Sequence, residues 1–323
     1  MVVLRSLFFA LVASLSWVGT SHALTWNEPW HREVVSQSSA FGLYQVERAG
    51  KQALTLKRIR QIAGEDTGPM VELASFYALQ VSSSTGNQAP EFTLREGTQA
   101  YFYLKRVAGG WAIATPSAGF AAFHKNGKVL ATYRFSAHQA VVDAQLYETS
   151  QRCIFQALHG DRTCDPEVVA WIDATLAKPA ASIESDSTLE SLDGFFQQHA
   201  ALETAGFLGH PLSAETVERF LSKPGMHVQM SALRALLVSD HRDKAERLMT
   251  FVEDDKANAT ARCLAAMLLV ETGAHQMKQR LLDYAPRASD DEAGLGIAIM
   301  DQRIGTQFPY TVRSAVKIAA QQL

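Results

Sequence analysis

Four leucines, Leu202, Leu233, Leu264 and Leu295, recur at a constant spacing of 31 residues. Each follows a small residue: Ala201, Ala232, Cys263 and Gly294. The segments around them, HAALETAGFL, MSALRALLVS, ARCLAAMLLV and EAGLGIAIMD, share an apolar pattern of helical period. A second register with the same spacing runs through Phe220, Phe251 and Leu282. One helix pair cannot bury both of its apolar faces, so units repeated in this way must stack and share a core. The small residue before each leucine allows neighbouring helices to approach closely. Cys263 occupies that slot and reads as a small hydrophobe rather than a reactive thiol. Pro224-Gly225, Asp254-Asp255, Gly273 and Pro286 supply helix stops and turns between the units.

The pattern resembles a short HEAT-type α-solenoid of about four 31-residue repeats. The motifs of tetratricopeptide and ankyrin repeats are absent. Ala170-Trp171 lies 31 residues before Ala201-Leu202, so a degenerate earlier unit is expected to begin near Pro166, with Asp165 as its N-cap. Tyr310 to Leu323 reads as the closing helix. The resemblance implies a concave surface lined by the second helices. That makes Arg219, Lys223, Arg247 and Arg280 the candidate partner surface.

Upstream the periodicity changes. Phe41 to Val46, Ala53 to Ile62 and Val71 to Val81 read as strands. AYFYLKRV (Ala100 to Val107), then Gly109-Gly110, then Trp111 to Ala114, reads as a hairpin. A second hairpin is expected from Phe120 to His124, through Asn126-Gly127, to Lys128 to Phe135. Five to seven short strands in about 100 residues predict a small barrel or sandwich. The run Glu96 to Leu104 and the later Asn126 to Val129 resemble OB-like or netrin-like secreted β domains. The cysteine-stapled N-terminus of netrin-like domains is missing. The resemblance is one of hydrophobic pattern and implies no catalytic residue. The whole chain is thus expected to be α+β, an OB-like barrel or sandwich followed by the HEAT-like solenoid.

OB-like barrels bind oligonucleotides and oligosaccharides on faces combining basic and aromatic side chains. The candidate ligand face here is Lys57, Arg58, Arg60, Tyr101, Tyr103 and Trp111. The competing reading makes the cations a solvated strand face protecting an edge, and the aromatics core. On a strand, Phe102 and Leu104 then face one side while Tyr101 and Tyr103 face the other.

The chain opens with Arg5 and an apolar run from Leu7 to Val18, followed by Ser21-His22-Ala23. This is the pattern of a secretory leader cleaved after Ala23, and it predicts a periplasmic or secreted protein. The expected boundaries are 1–23 leader, 24–145 β domain, 146–186 connector and 187–323 helical repeat. Loss of Arg5 takes the formal net charge from −3 to −4. That is too little charge, and of the wrong sign, for a polyanion binder, so nucleic acid is not an expected partner. No later apolar stretch is long enough to span a bilayer. An exported chain meets an oxidising compartment. Cys153 and Cys164, separated by His159-Gly160-Asp161 among others, are therefore expected to pair.

No motif for nucleophilic, phosphoryl-transfer or dinucleotide chemistry is present. The ten histidines form neither HxxxH nor HExxH, and no Cys-x-x-Cys exists. No catalytic residue, metal or cofactor is therefore assigned. The acidic groups Asp254-Asp255 and Asp290-Asp291-Glu292 fit helix ends. The function expected is a binding or scaffold role in the cell envelope, on another envelope or secreted protein. The alternative is an envelope-polymer (carbohydrate or peptidoglycan) binder or hydrolase acting through the β domain.

Overall fold

The computed structural model describes residues 31–50, 53–74, 94–114, 119–123, 125–132, 139–161, 163–181, 189–290 and 311–323. The expected leader and its cleavage site lie outside these residues. A short helix, α1 (His31–Ser36), precedes the strands. Strands β1 (Ala40–Ala49), β2 (Ala53–Gly64), β3 (Met70–Ala74), β4 (Gln99–Val107) and β5 (Gly110–Ala112) follow. They run in the order β1-β2-β3-β5-β4, and β4 also pairs with β1, so the sheet closes on itself. All pairs are antiparallel except β3–β5. A sixth strand, β6 (Phe120–Ala122), adds to β4.

Closure explains the strand sequences. The barrel interior takes Tyr44, Leu54, Leu56, Val71, Leu73, Phe102 and Leu104. The outer face of β1 and β4 carries Phe41, Leu43, Tyr101 and Tyr103, and these are buried too. Strands covered on both sides read as nearly continuous apolar runs, which is why AYFYL shows little alternation in hydropathy. Phe102 and Leu104 do lie on the face opposite Tyr101 and Tyr103. β2 ends at Gly64, whose φ of 74° and closeness to the Ser39 carbonyl leave no room for a Cβ.

The outer face is covered by three elements. The first is α1. The second is a separate hairpin of β7 (Lys128–Thr132) and β8 (Gln139–Asp143). The third is helix α2 (Ala144–Leu158), whose N-cap Asp143 accepts from the backbone N–H of Gln145 and Leu146. Helix α3 (Pro166–Leu176) begins as its sequence predicts, with Asp165 accepting from the Glu167 N–H and Pro166 in the first turn. Cys153 on α2 and Cys164 before α3 are at disulfide distance, with Cα atoms 4.9 Å apart.

Seven more helices follow: α4 (Leu189–Leu208), α5 (Ala214–Leu221), α6 (Met226–Leu236), α7 (Lys244–Glu253), α8 (Ala259–Glu271), α9 (Lys278–Tyr284) and α10 (Val312–Gln322). Helices α4, α6, α8 and α10 pack side by side in one row, with α5 on α6, α7 on α8 and α9 on α10. Leu202, Leu233 and Leu264 occupy equivalent, fully buried places in this row, as do Ala201, Ala232 and Cys263. Among the described residues, no helix is long and apolar enough to cross a membrane.

The expected architecture needs correction. The chain is a mixed α+β fold, not a small OB-like barrel or sandwich followed by a HEAT-like solenoid of about four 31-residue repeats. The β region is a closed five-stranded barrel with an extra strand, and ten α-helices are present among the described residues. Three of them, α1, α2 and α3, lie outside the expected repeat. The units are unequal, with a 20-residue α4 beside an 11-residue α6. The second register fails at its third member: Phe220 and Phe251 are buried, but Leu282 is 47 % exposed and Leu281 points inward instead. The fourth unit, with Gly294 and Leu295, lies outside the described residues. The expected second hairpin is also re-paired. Only Phe123 bridges to Val129, while β6 joins β4 and β7 joins β8.

Candidate functional site

The basic strip of β2 is laced into local ion pairs. Lys57 lies 3.9 Å from Glu47, Arg58 pairs with Asp66, and Arg60 reaches Glu148 on α2. Tyr101 and Tyr103 are each 2 % exposed and face α2. The Tyr101 hydroxyl donates to Glu148 at 3.1 Å, and the Tyr103 hydroxyl donates to Gln151 at 2.6 Å. Burial raises the Tyr101 pKa further above its ordinary value. Trp111 is buried at the far end of β5, beneath the Arg106 guanidinium at 4.1 Å. The fold therefore separates these six residues into a solvated strip, an interior pair and a distant indole.

The arginines of the outer helices stitch those helices together. Arg247 on α7 donates to both Glu218 oxygens on α5, at 2.6 and 2.7 Å. Arg280 on α9 reaches back to Glu246 and Glu253 on α7, both at 2.5 Å. These bonds raise the Arg280 pKa. Arg219 donates to the Leu176 carbonyl at the end of α3. Lys223 is half-buried just past α5. The row is a ladder within the chain, its positive charge matched by neighbouring carboxylates.

The main cleft lies elsewhere. It has a volume of about 370 Å³ and is walled by α1 (Arg32, Glu33), α4 (Glu203, Gly206, Phe207), α6 and its C-cap (Arg234, Leu237, Val238), and α8 (Met267, Leu268, Val270, Glu271). That size suits a small organic ligand, and the wall is apolar with a few converging polar groups. The 31-residue register builds it. Glu203 and Arg234 each follow a repeat leucine and so hold equivalent places on adjacent helices. Gly206, Leu237 and Leu268 form a second equivalent set. Glu203 is completely buried, Arg234 is 12 % exposed at its side chain, and their Nε–Oε2 separation is 3.4 Å. The Arg234 guanidinium also lies over the Phe207 ring at 5.4 Å.

Behind the pair sits a buried polar network. The Ser231 hydroxyl donates to Glu203 at 3.0 Å and contacts His199 Nδ1, while the His199 and His227 rings meet edge to face at 5.7 Å. Burial lowers the His227 pKa. Serine, histidine and a carboxylate together invite comparison with an acyl-transfer site. The roles do not fit: the carboxylate binds the serine, not the imidazole it would need to orient. Ser231 is also fully buried and is not part of the cleft wall. On the other side, His31 Nε2 donates to Gln151 at 2.8 Å. Burial, aided by the nearby Arg234 charge, pushes the His31 pKa down to about 4. Among the described residues no group of three or more His, Cys, Asp or Glu is placed to hold a metal ion.

The cleft residues escaped notice in the sequence because Glu203 and Arg234 read as ordinary helix charges. The one available signal was their spacing, since charges at equivalent places of stacked helices must meet. Comparison of the chain with family models, curated proteins and solved structures finds no match.

Proposed function

We propose that this chain is an exported binding protein of the cell envelope, with its ligand held in the cleft between α1 and the α4–α6–α8 row. One observation carries the reading: an apolar cleft of about 370 Å³ with a buried, oppositely charged pair in its wall. A buried pair costs several kcal/mol in desolvation per ion, and apolar residues of the same volume would pack the helices at least as well. Such a pair on a cavity wall suits recognition better than stability. The absence of a base-oriented nucleophile facing the cleft favours binding over hydrolysis. Proposing the cleft moves the binding site away from the arginine ladder, whose charges are used between helices.

The test uses the mature protein incubated with an extract of its own envelope, re-purified and examined by native mass spectrometry. A Val238→Trp variant fills the cleft and serves as comparison. Retention of a component by the wild type and its loss from the variant is the expected result. Equal retention by both, or by neither, overturns the reading.

A further inference from the structure

We infer that the cleft ligand is a small zwitterion with an apolar body: an apolar amino acid or dipeptide with free amino and carboxyl groups. The inference rests on the cleft being the binding site. It follows from charge balance. Glu203 and Arg234 carry opposite charges 3.4 Å apart, and both line the cavity. A lone cation or anion bound beside them leaves one charge uncompensated where water is scarce, which is strongly unfavourable. A wholly apolar ligand strips water from the pair and returns no hydrogen bond. A zwitterion avoids both costs, its ammonium lying toward Glu203 and its carboxylate toward Arg234.

Arginine is suited to the second role because its planar fork can bind a carboxylate at two points. The Phe207 ring beneath the guanidinium fixes its plane. Glu203 is fixed in turn by the Ser231 hydroxyl, so the pair is pre-set before a ligand arrives. Leu237, Val238 and Met267 then offer an apolar wall to the ligand side chains. The rim charges Arg32, Glu33 and Glu271 are exposed and screened, so they contribute little to the choice.

The test is calorimetric titration of the wild-type protein, emptied of ligand by unfolding and refolding, with L-leucine, leucyl-leucine, its N-acetyl form, its C-terminal amide and the doubly blocked compound. The free compounds are expected to bind, and each single block to weaken binding at least tenfold. Glu203→Gln, which keeps an acceptor for Ser231, is expected to weaken the free dipeptide and leave the N-acetyl form unchanged. Equal binding of free and doubly blocked dipeptide overturns the zwitterion while leaving the cleft as a binding site. No Val238→Trp-sensitive binding of any of these probes, when the envelope extract does yield a cleft-dependent component, overturns the ligand class alone. Failure of both experiments removes the cleft as well.

Discussion

The Tyr103 hydroxyl donates a 2.6 Å hydrogen bond to the Gln151 side chain, tying the outer face of the barrel to helix α2. Gln151 is completely buried, and the same oxygen accepts from His31 on α1. Three segments far apart in sequence thus meet on one amide. Tyr103→Phe removes one of the two donors while keeping the ring stacked on Phe41. It is expected to destabilise the fold by about 1 kcal/mol in urea unfolding. An unchanged midpoint would show that the bond contributes nothing net.

His31 makes the seam sensitive to acid. Its folded pKa, about 4, lies below the ordinary histidine value of 6.5. As pH falls, the unfolded chain therefore takes up this proton first. The stability linked to His31 is complete above about pH 6.5, is lost as pH falls toward 4, and falls no further below that. The full loss corresponds to about 3 kcal/mol. Carboxylates add to the slope in the same window, so the comparison is with His31→Gln, which retains a donor for Gln151. Urea unfolding at pH 7, 5.5 and 4.5 should show a flatter pH dependence for the variant. Parallel curves would sink the assignment.

Cys153 and Cys164 join α2 to the start of α3 across a separation of 11 residues. Closing a loop of that size stabilises the fold by about 3 kcal/mol in the chain-entropy estimate. The double substitution Cys153→Ala, Cys164→Ala should lower stability by about that amount, and reductant should do the same to the wild type only. Cys263 is fully buried and should stay unreactive toward thiol reagents until the protein unfolds.

The helical half offers a sharper contrast. Leu233 is fully buried, so Leu233→Ala should cost about 2–5 kcal/mol. Leu282 has the 31-residue spacing of the second register but is 47 % exposed. Leu282→Ala should therefore change stability by no more than about 0.5 kcal/mol. Similar losses at both sites would restore the regular repeat that the fold lacks.

Local signals proved legible where the deciding interaction is itself local. The Asp165-Pro166 helix start, the Gly109-Gly110 hairpin between β4 and β5, and the buried places of Leu202, Leu233 and Leu264 all follow from capping, turn geometry and helical period. Helix α2 was not legible: its residues Ala144–Leu158 follow β8 directly, and only the Asp143 cap marks its start. The Asn126-Gly127 turn misled for the opposite reason. Its local hairpin preference is outweighed by longer pairings, β6 with β4 and β7 with β8.

By itself the sequence determined that apolar helices would stack at a 31-residue interval and that β-rich segments would precede them, because both properties are periodic along the chain. Barrel closure through β1–β4, burial of Tyr101 and Tyr103 under α2, and the meeting of Glu203 with Arg234 were decided only by the tertiary structure. Each joins residues through space, and its free energy depends on what water each side chain loses. The spacing that marks the leucines also put Glu203 and Arg234 in register, but only packing against α1 enclosed that pair within a cleft.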